Sequence, residues 1–219
     1  MKKFLAMTTT NSPDVRLVLT ESGTEIALAA LQGLWTEAMY LRLSAQTNHL
    51  IEFSDGALEL LPTPTRTHQR ILAYLYEQFA AIVHPLGGIV LFAALRLRIS
   101  PTKYREPDLL LLCDQADPRN QEAFWLGADL VVEVVSPDHP ERDLVQKRAD
   151  YAEAQIPEYW IVDPQTVTIT VLVLDGSRYV VHGVFAPGTF ATGLLIPHLT
   201  LDVAAVFAAG GIQPPYSTT

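Results

Sequence analysis

A single cysteine, Cys113, stands among the 219 residues, which excludes an intramolecular disulfide and a cysteine-based zinc site and suits a reducing compartment. It reads as a small apolar residue closing a strand. Positive charge is also scarce. Lys and Arg number 15 against 24 Asp and Glu, a formal net charge of −9. The chain as a whole therefore does not attract nucleic acid, and any such binding has to use a local basic patch. No hydrophobic run approaches the roughly 20 residues of a membrane span. The opening MKKFLAM resembles a secretory leader, yet its apolar segment stops at Thr8, short of the roughly 7 to 15 residues a leader needs. The expectation is a soluble, cytoplasmic protein with no membrane partner. Neither a phosphate-cradling glycine-rich loop nor a Gly-x-Ser-x-Gly elbow is present, which disfavours a hydrolase of small phosphorylated or ester substrates.

With 49% hydrophobic residues the chain can bury a full core, most simply as one α/β or α+β domain. Residues 1–35 lack a clear period and read as an extension whose polar stretch, 8–14, is mobile. The domain spans 36–209, and 210–219 form a flexible tail. Residues 36–44 suit a helix capped by Thr36. The segments 49–53 and 57–61 suit a hairpin around Ser54-Asp55-Gly56. Alternation places both Glu52 and Glu59 toward solvent, more clearly for Glu59. Apolar positions 71, 72, 75, 79, 82 and 83 have helical spacing, with His68 in the first turn as a neutral or capping histidine or as a neighbour of a catalytic centre. Residues 89–99 read as one long strand carrying Arg96 and Arg98 on one face. With Lys103 and Arg105 they form the densest basic stretch, either a solvated face or a phosphate contact. The loop 118–127 contains Phe124-Trp125-Leu126, which either packs on its own domain or serves a homodimer. Three more strands follow at 159–163, 167–174 and 179–184, the last two as a hairpin, and then a helix at 201–209.

Chemistry concentrates between Tyr104 and Pro164. Asp108 precedes the run Leu109 to Leu112, and Glu133 sits inside Leu130 to Val135. Such continuous apolar runs suit strands buried on both faces. Burying an ionised carboxylate is costly without a cation or hydrogen-bond donors, so the two acids need a partner. A divalent metal is one candidate, and the ammonium of Lys147 is the other. Lys147 lies on a helix begun by Pro140 and Glu141, on the border of an apolar face of Leu144, Val145, Ala149, Tyr151 and Ala152. Arg148 is its rival. Two carboxylates and a lysine suit metal-assisted phosphodiester hydrolysis, in which carboxylates hold Mg²⁺ and the lysine orients water or offsets transition-state charge. Each residue also has a structural alternative: a turn cap for Asp108, an arginine partner for Glu133, a solvated position for Lys147.

Pro107-Asp108, Glu133-Val134-Val135, Lys147 with Tyr151, and the segment Pro157 to Pro164 (PEYWIVDP) together closely resemble the Uma-two-type restriction endonucleases of the PD-(D/E)XK superfamily. The resemblance covers about residues 36–190. It implies a restriction-endonuclease-like mixed β-sheet core flanked by helices, with added antiparallel hairpins. It further implies Mg²⁺-dependent DNA cleavage, with Mn²⁺ as a substitute, and a homodimer to cut two strands. Asp108 and Glu133 would be metal ligands, the main-chain carbonyl of Val134 a third, Lys147 the catalytic lysine and Glu52 a further catalytic carboxylate. The superfamily pattern places its lysine two residues after the glutamate, where this chain has Val135. Lys147 would then be a lysine supplied from the following helix. The competing class is a nuclease-fold module that binds or assembles without cutting.

Overall fold

The computed structural model describes residues 4–8, 16–19, 22–137 and 140–213. Most of the polar stretch expected to be mobile, residues Asp138 and His139 of the expected helix start, and positions 214–219 of the expected tail lie outside them. In chain order the strands are β1 (Phe4–Thr8), β2 (Arg16–Leu19), β3 (Thr24–Ala27), β4 (Ile51–Ser54), β5 (Ala57–Leu60), β6 (Ile89–Phe92), β7 (Leu97–Ser100), β8 (Lys103–Arg105), β9 (Leu109–Leu112), β10 (Leu130–Val134), β11 (Glu158–Asp163), β12 (Thr168–Asp175), β13 (Arg178–Phe185), β14 (Phe190–Thr192) and β15 (Thr200–Asp202). The helices are α1 (Glu37–Ser44), α2 (Arg66–Val83), α3 (Lys147–Glu153) and α4 (Val203–Ala209). None is long and apolar enough to cross a membrane, among the described residues.

Two compact units result, Met1–Pro62 with Ser100–Glu106, and Thr63–Ile99 with Pro107–Thr219. In the first, β1, β2 and β3 form an antiparallel sheet in a region where the sequence shows no period. The Thr36 hydroxyl caps α1 by accepting the Met39 amide at 3.3 Å. Asp55 and Gly56 adopt φ of 46° and 86°, the left-handed pair a two-residue hairpin turn requires, and so join β4 to β5. β8 pairs with the other edge of β4.

The second unit is built on a six-stranded mixed sheet in the order β13-β12-β11-β10-β9-β6, in which β10 and β11 run parallel and every other pair is antiparallel. Both faces are covered, which explains the unbroken apolar runs. Leu109, Leu111, Leu130, Val132, Trp160 and Val162 point to one face, packed with Ile71, Leu75 and Phe79 of α2 and Phe207 of α4. Leu110, Leu112, Val131, Tyr159 and Ile161 alternate to the other face and meet Tyr151 and Ala152 of α3. Glu133 follows Val131 by two residues, so strand periodicity places it on the α3 face.

The single strand expected over 89–99 is two. After β6 the chain turns, with the Leu95 amide donating to Phe92 O at 3.1 Å. It then leaves the sheet because the loop containing Trp125 offers another partner: Arg98 N donates to Trp125 O at 2.9 Å, and Trp125 N to Arg96 O at 2.8 Å. The Trp125 side chain is buried in its own unit's core, which leaves Leu126 as the exposed apolar residue of that triplet. Cys113 follows the end of β9 and is exposed. Its thiol is pushed up to about 11 by burial of the sulfur and the neighbouring Asp129 carboxylate. Of the expected tail, residues 210–213 are described, and Ile212 turns back on α4 through its amide to Phe207 O at 3.0 Å.

Candidate functional site

Backbone amides of Val134 and Asp108 hold the Asp108 and Glu133 carboxylates. Asp108 follows Pro107 and directly precedes β9, and Glu133 lies in β10, the antiparallel neighbour of that strand. The Val134 amide donates to Asp108 Oδ2 at 2.8 Å, while the Asp108 amide donates to Glu133 Oε2 at 3.4 Å. What the structure shows of Val134 is thus its N–H, spent on Asp108. The second partner of Asp108 Oδ2 is His68 Nε2, at 2.9 Å, from the first turn of α2. Thr65 caps that turn by accepting the His68 amide, and so fixes where the imidazole starts. Burial alone would lower the imidazole's affinity for its proton, but the hydrogen bond and charge of Asp108 outweigh it and leave the His68 pKa raised. His68 Nδ1 is buried and has no hydrogen-bond partner among the described residues.

Glu133 is 2% exposed. Its Oε1 accepts from Lys147 Nζ at 2.8 Å and from the Tyr151 hydroxyl. Burial pushes the carboxyl up to about 8; the Lys147 charge opposes that rise, and Asp108 and Asp143 add to it. Lys147, itself 4% exposed, also reaches Asp143 Oδ1 at 3.1 Å. Asp143 is tied in turn through Oδ2 to the Ser136 amide at 3.4 Å, and its carbonyl accepts from the Tyr159 hydroxyl at 2.8 Å. Burial, together with the charge of Glu133, holds the Tyr159 phenol well above its ordinary value.

The helix that carries Lys147 keeps Tyr151 and Ala152 of the expected apolar face inward but turns Leu144, Val145 and Ala149 outward. Its first part, Arg142–Gln146, is wound as a π-helix before α3 begins. The buried residues are Arg142, Asp143, Lys147, Asp150, Tyr151 and Ala152, whereas Leu144 and Val145 are 40% and 64% exposed and Ala149 faces out. The physical reason is the buried Glu133. A charge inside an apolar sheet face demands counter-charge and donors, and the helix supplies them at 147 and 151, with Asp143 pairing the lysine in turn. Single-turn π segments let a helix re-aim side chains at such places.

Of the residues singled out from the sequence, Asp108, Glu133, Val134 and Lys147 come together here. Arg148, the rival cation, points elsewhere and donates through Nη2 to Tyr179 O at 2.9 Å. Glu52 belongs to the other unit. Against the expectation of a solvent-facing position it is buried; it accepts the Glu106 amide at 3.1 Å and lies 3.6 Å from Arg105 Nη1. Glu59, opposite it in register, is exposed as expected. His68, Asp143 and the Tyr151 hydroxyl are the participants that sequence reasoning underweighted. The 143, 147, 151 spacing, four and four, was the signal available, since it aligns three polar groups on one helix face.

The donor set is two carboxylates on adjacent strands with a lysine behind one of them. Among the described residues no group of three or more His, Cys, Asp or Glu side chains is arranged to hold a metal ion. Two carboxylate oxygens completed by waters or substrate phosphate are nonetheless the set Mg²⁺ commonly takes. The Asp108 Oδ1 atom, which has no hydrogen-bond partner among the described residues, and Glu133 Oε2 fit that requirement.

The chain is similar to known proteins in sequence and in fold. Residues 37–204 match the family Uma2, described as "Putative restriction endonuclease". A crystal structure from Anabaena variabilis ATCC 29413, described as "a putative nuclease belonging to DUF820", superposes with a TM-score of 0.68 at 19% identity over 80% of this chain and 99% of that one. At that identity it shows a shared fold. No curated protein matches.

Proposed function

Because the chain belongs to the Uma2 family, we propose that it is a Mg²⁺-dependent DNA endonuclease, with Asp108 and Glu133 as the metal ligands and the Val134 carbonyl as a third donor. The observation that carries this reading is the contact of Lys147 Nζ with Glu133 Oε1 at 2.8 Å, beside an Asp108 locked to Glu133 through the backbone. In this reading Lys147, the lysine of α3, stands in for the one that the superfamily pattern has two residues after the glutamate, where this chain carries Val135. When bound, Mg²⁺ or Mn²⁺ supplies Lewis-acid polarisation of a phosphoryl oxygen and of an attacking water. The protein's own residues then divide the work. The Asp108 and Glu133 carboxylates fix the cation's place on the sheet. His68 and the Val134 amide hold the Asp108 carboxylate in one orientation, and the Tyr151 hydroxyl does so for Glu133. The Lys147 ammonium orients the water or offsets charge on the phosphorane-like transition state. A homodimer supplies a second copy of this site for the opposite strand.

A second reading, a nuclease-fold module without cleavage, draws on the net charge of −9 and on Val135. One experiment separates the two: the pure protein is incubated with supercoiled and with single-stranded DNA in Mg²⁺ or Mn²⁺, beside Glu133→Ala. Nicking by the wild type alone supports the nuclease. Intact DNA in both, with no cation uptake by calorimetry, favours the module.

A further inference from the structure

Resting on the metal-dependent reading, we propose that Asp143 is a positioning residue: it retains the Lys147 ammonium so that Glu133 is released to a divalent cation. The ammonium lies between two carboxylates, 2.8 Å from Glu133 Oε1 and 3.1 Å from Asp143 Oδ1. Of the two, Glu133 also accepts the Asp108 amide and so is tied to the residue beside which a cation would sit. A cation arriving between Asp108 and Glu133 competes with Lys147 for Glu133. The lysine cannot simply swing into water, because its side chain is 6% exposed and a buried ammonium left without an anion is costly.

Asp143 removes that conflict. Once a cation displaces the Glu133 proton, Asp108, Glu133 and Asp143 contribute three negative charges among these four side chains, and Lys147 offsets one. With Asp143 as the anion assigned to Lys147, the pair Asp108 and Glu133 keeps the two negative charges that a divalent ion neutralises. Asp143 is built for this task rather than being a free side chain that happens to be near. Its Oδ2 is engaged by the Ser136 amide and its carbonyl by the Tyr159 hydroxyl, so Oδ1 is presented to Nζ from a fixed place. The π-helical turn at Arg142–Gln146 sets Asp143 and Lys147 on the buried side while Leu144 and Val145 turn outward. Within a single helix face an Asp and a Lys four apart are neighbours, so the lysine keeps this partner whatever happens at Glu133.

The test is a double-mutant cycle read by cation binding rather than by cleavage. Mn²⁺ binding is measured by calorimetry for the wild type, Asp143→Asn, Lys147→Gln and the double variant. Losing Asp143 removes the anion that faces Lys147 from its own helix and leaves the ammonium to Glu133, so Asp143→Asn is expected to weaken Mn²⁺ binding about tenfold, and less than about threefold when made on top of Lys147→Gln, the signature of directly coupled residues. Asp143→Glu keeps the carboxylate and is expected to stay within about threefold of the wild type. Asp143→Ser, run in parallel, gives the same comparison with a smaller side chain should the asparagine variant not fold. Equal losses with Lys147 present and with Lys147→Gln in place overturn the proposal, because Asp143 would then act only as one more negative charge. No Mn²⁺ uptake by the wild type overturns the metal-dependent reading itself, and this proposal with it.

Discussion

Glu133 should make the metal-free protein lose stability as pH rises through neutrality. Its carboxyl has an ordinary value of 4.5 and stands at about 8 in the fold, mainly because it is buried. A raised folded-state value means that the native protein holds a proton the unfolded chain has already released, between about pH 4.5 and 8. Stability in that window therefore falls with pH, by up to about 1.4 kcal/mol per unit. The contribution is fully present below pH 4.5 and is lost above 8. Between pH 5.5 and 7.5 the two titration curves give a loss of about 2 to 3 kcal/mol from this one group. Urea unfolding in EDTA at the two pH values measures it, for the wild type and for Glu133→Gln, which keeps the shape and cannot titrate. The slope attributable to Glu133 is the difference between the proteins, so titration of His68 and the surface carboxylates cancels. Parallel pH profiles for the two proteins would refute the reasoning and would mean that Lys147 and Tyr151 keep Glu133 ionised throughout.

Asp108→Asn should lower Mn²⁺ affinity at least tenfold, about 1.4 kcal/mol, while the circular dichroism spectrum stays that of the wild type; undiminished binding in calorimetry would move the cation site elsewhere. Lys147→Ala should bind Mn²⁺ and fail to nick plasmid DNA, whereas Arg148→Ala should nick at the wild-type rate, because its guanidinium serves the Tyr179 carbonyl; the reverse pattern on a gel would exchange their roles. Glu158→Ala should cost about 3 to 5 kcal/mol in urea unfolding, since it strands three buried or half-buried donors, the Trp160 indole N–H and the Leu194 and Leu195 amides. A loss below about 1 kcal/mol would show that those donors find water instead.

The two units differ in how far their structure could be read from the sequence. The hairpin at Asp55-Gly56, the Thr36 cap and the α2 helix follow from local chemistry, and the structure has all three where expected. The β1 to β3 sheet carries no comparable signal, because strand pairing there depends on neighbours rather than on a period. The break between β6 and β7 was equally hidden: Ile89 to Ile99 is a plausible strand until the Trp125 loop competes for its hydrogen bonds. Trp125 itself, an exposed aromatic by its loop position, is core once the loop folds back.

The candidate site shows the same division. Sequence by itself determined that Asp108 and Glu133 lie on buried strands, because carboxylates interrupt or adjoin unbroken apolar runs, and that Lys147 follows on a helix within reach. Only the tertiary structure decided that the helix turns its charged residues inward and Leu144 and Val145 outward. A hydrophobic period places Tyr151 and Ala152 inward as found but also Leu144 and Val145, since it counts apolar surface and cannot see the buried Glu133. The contact of Lys147 rather than Arg148 with Glu133, the approach of His68 to Asp108 across 40 residues, and the second anion for the lysine at Asp143 were likewise decided there. Each depends on which groups meet across the sheet. The free energy of a buried charge is set by those partners, not by its neighbours along the chain.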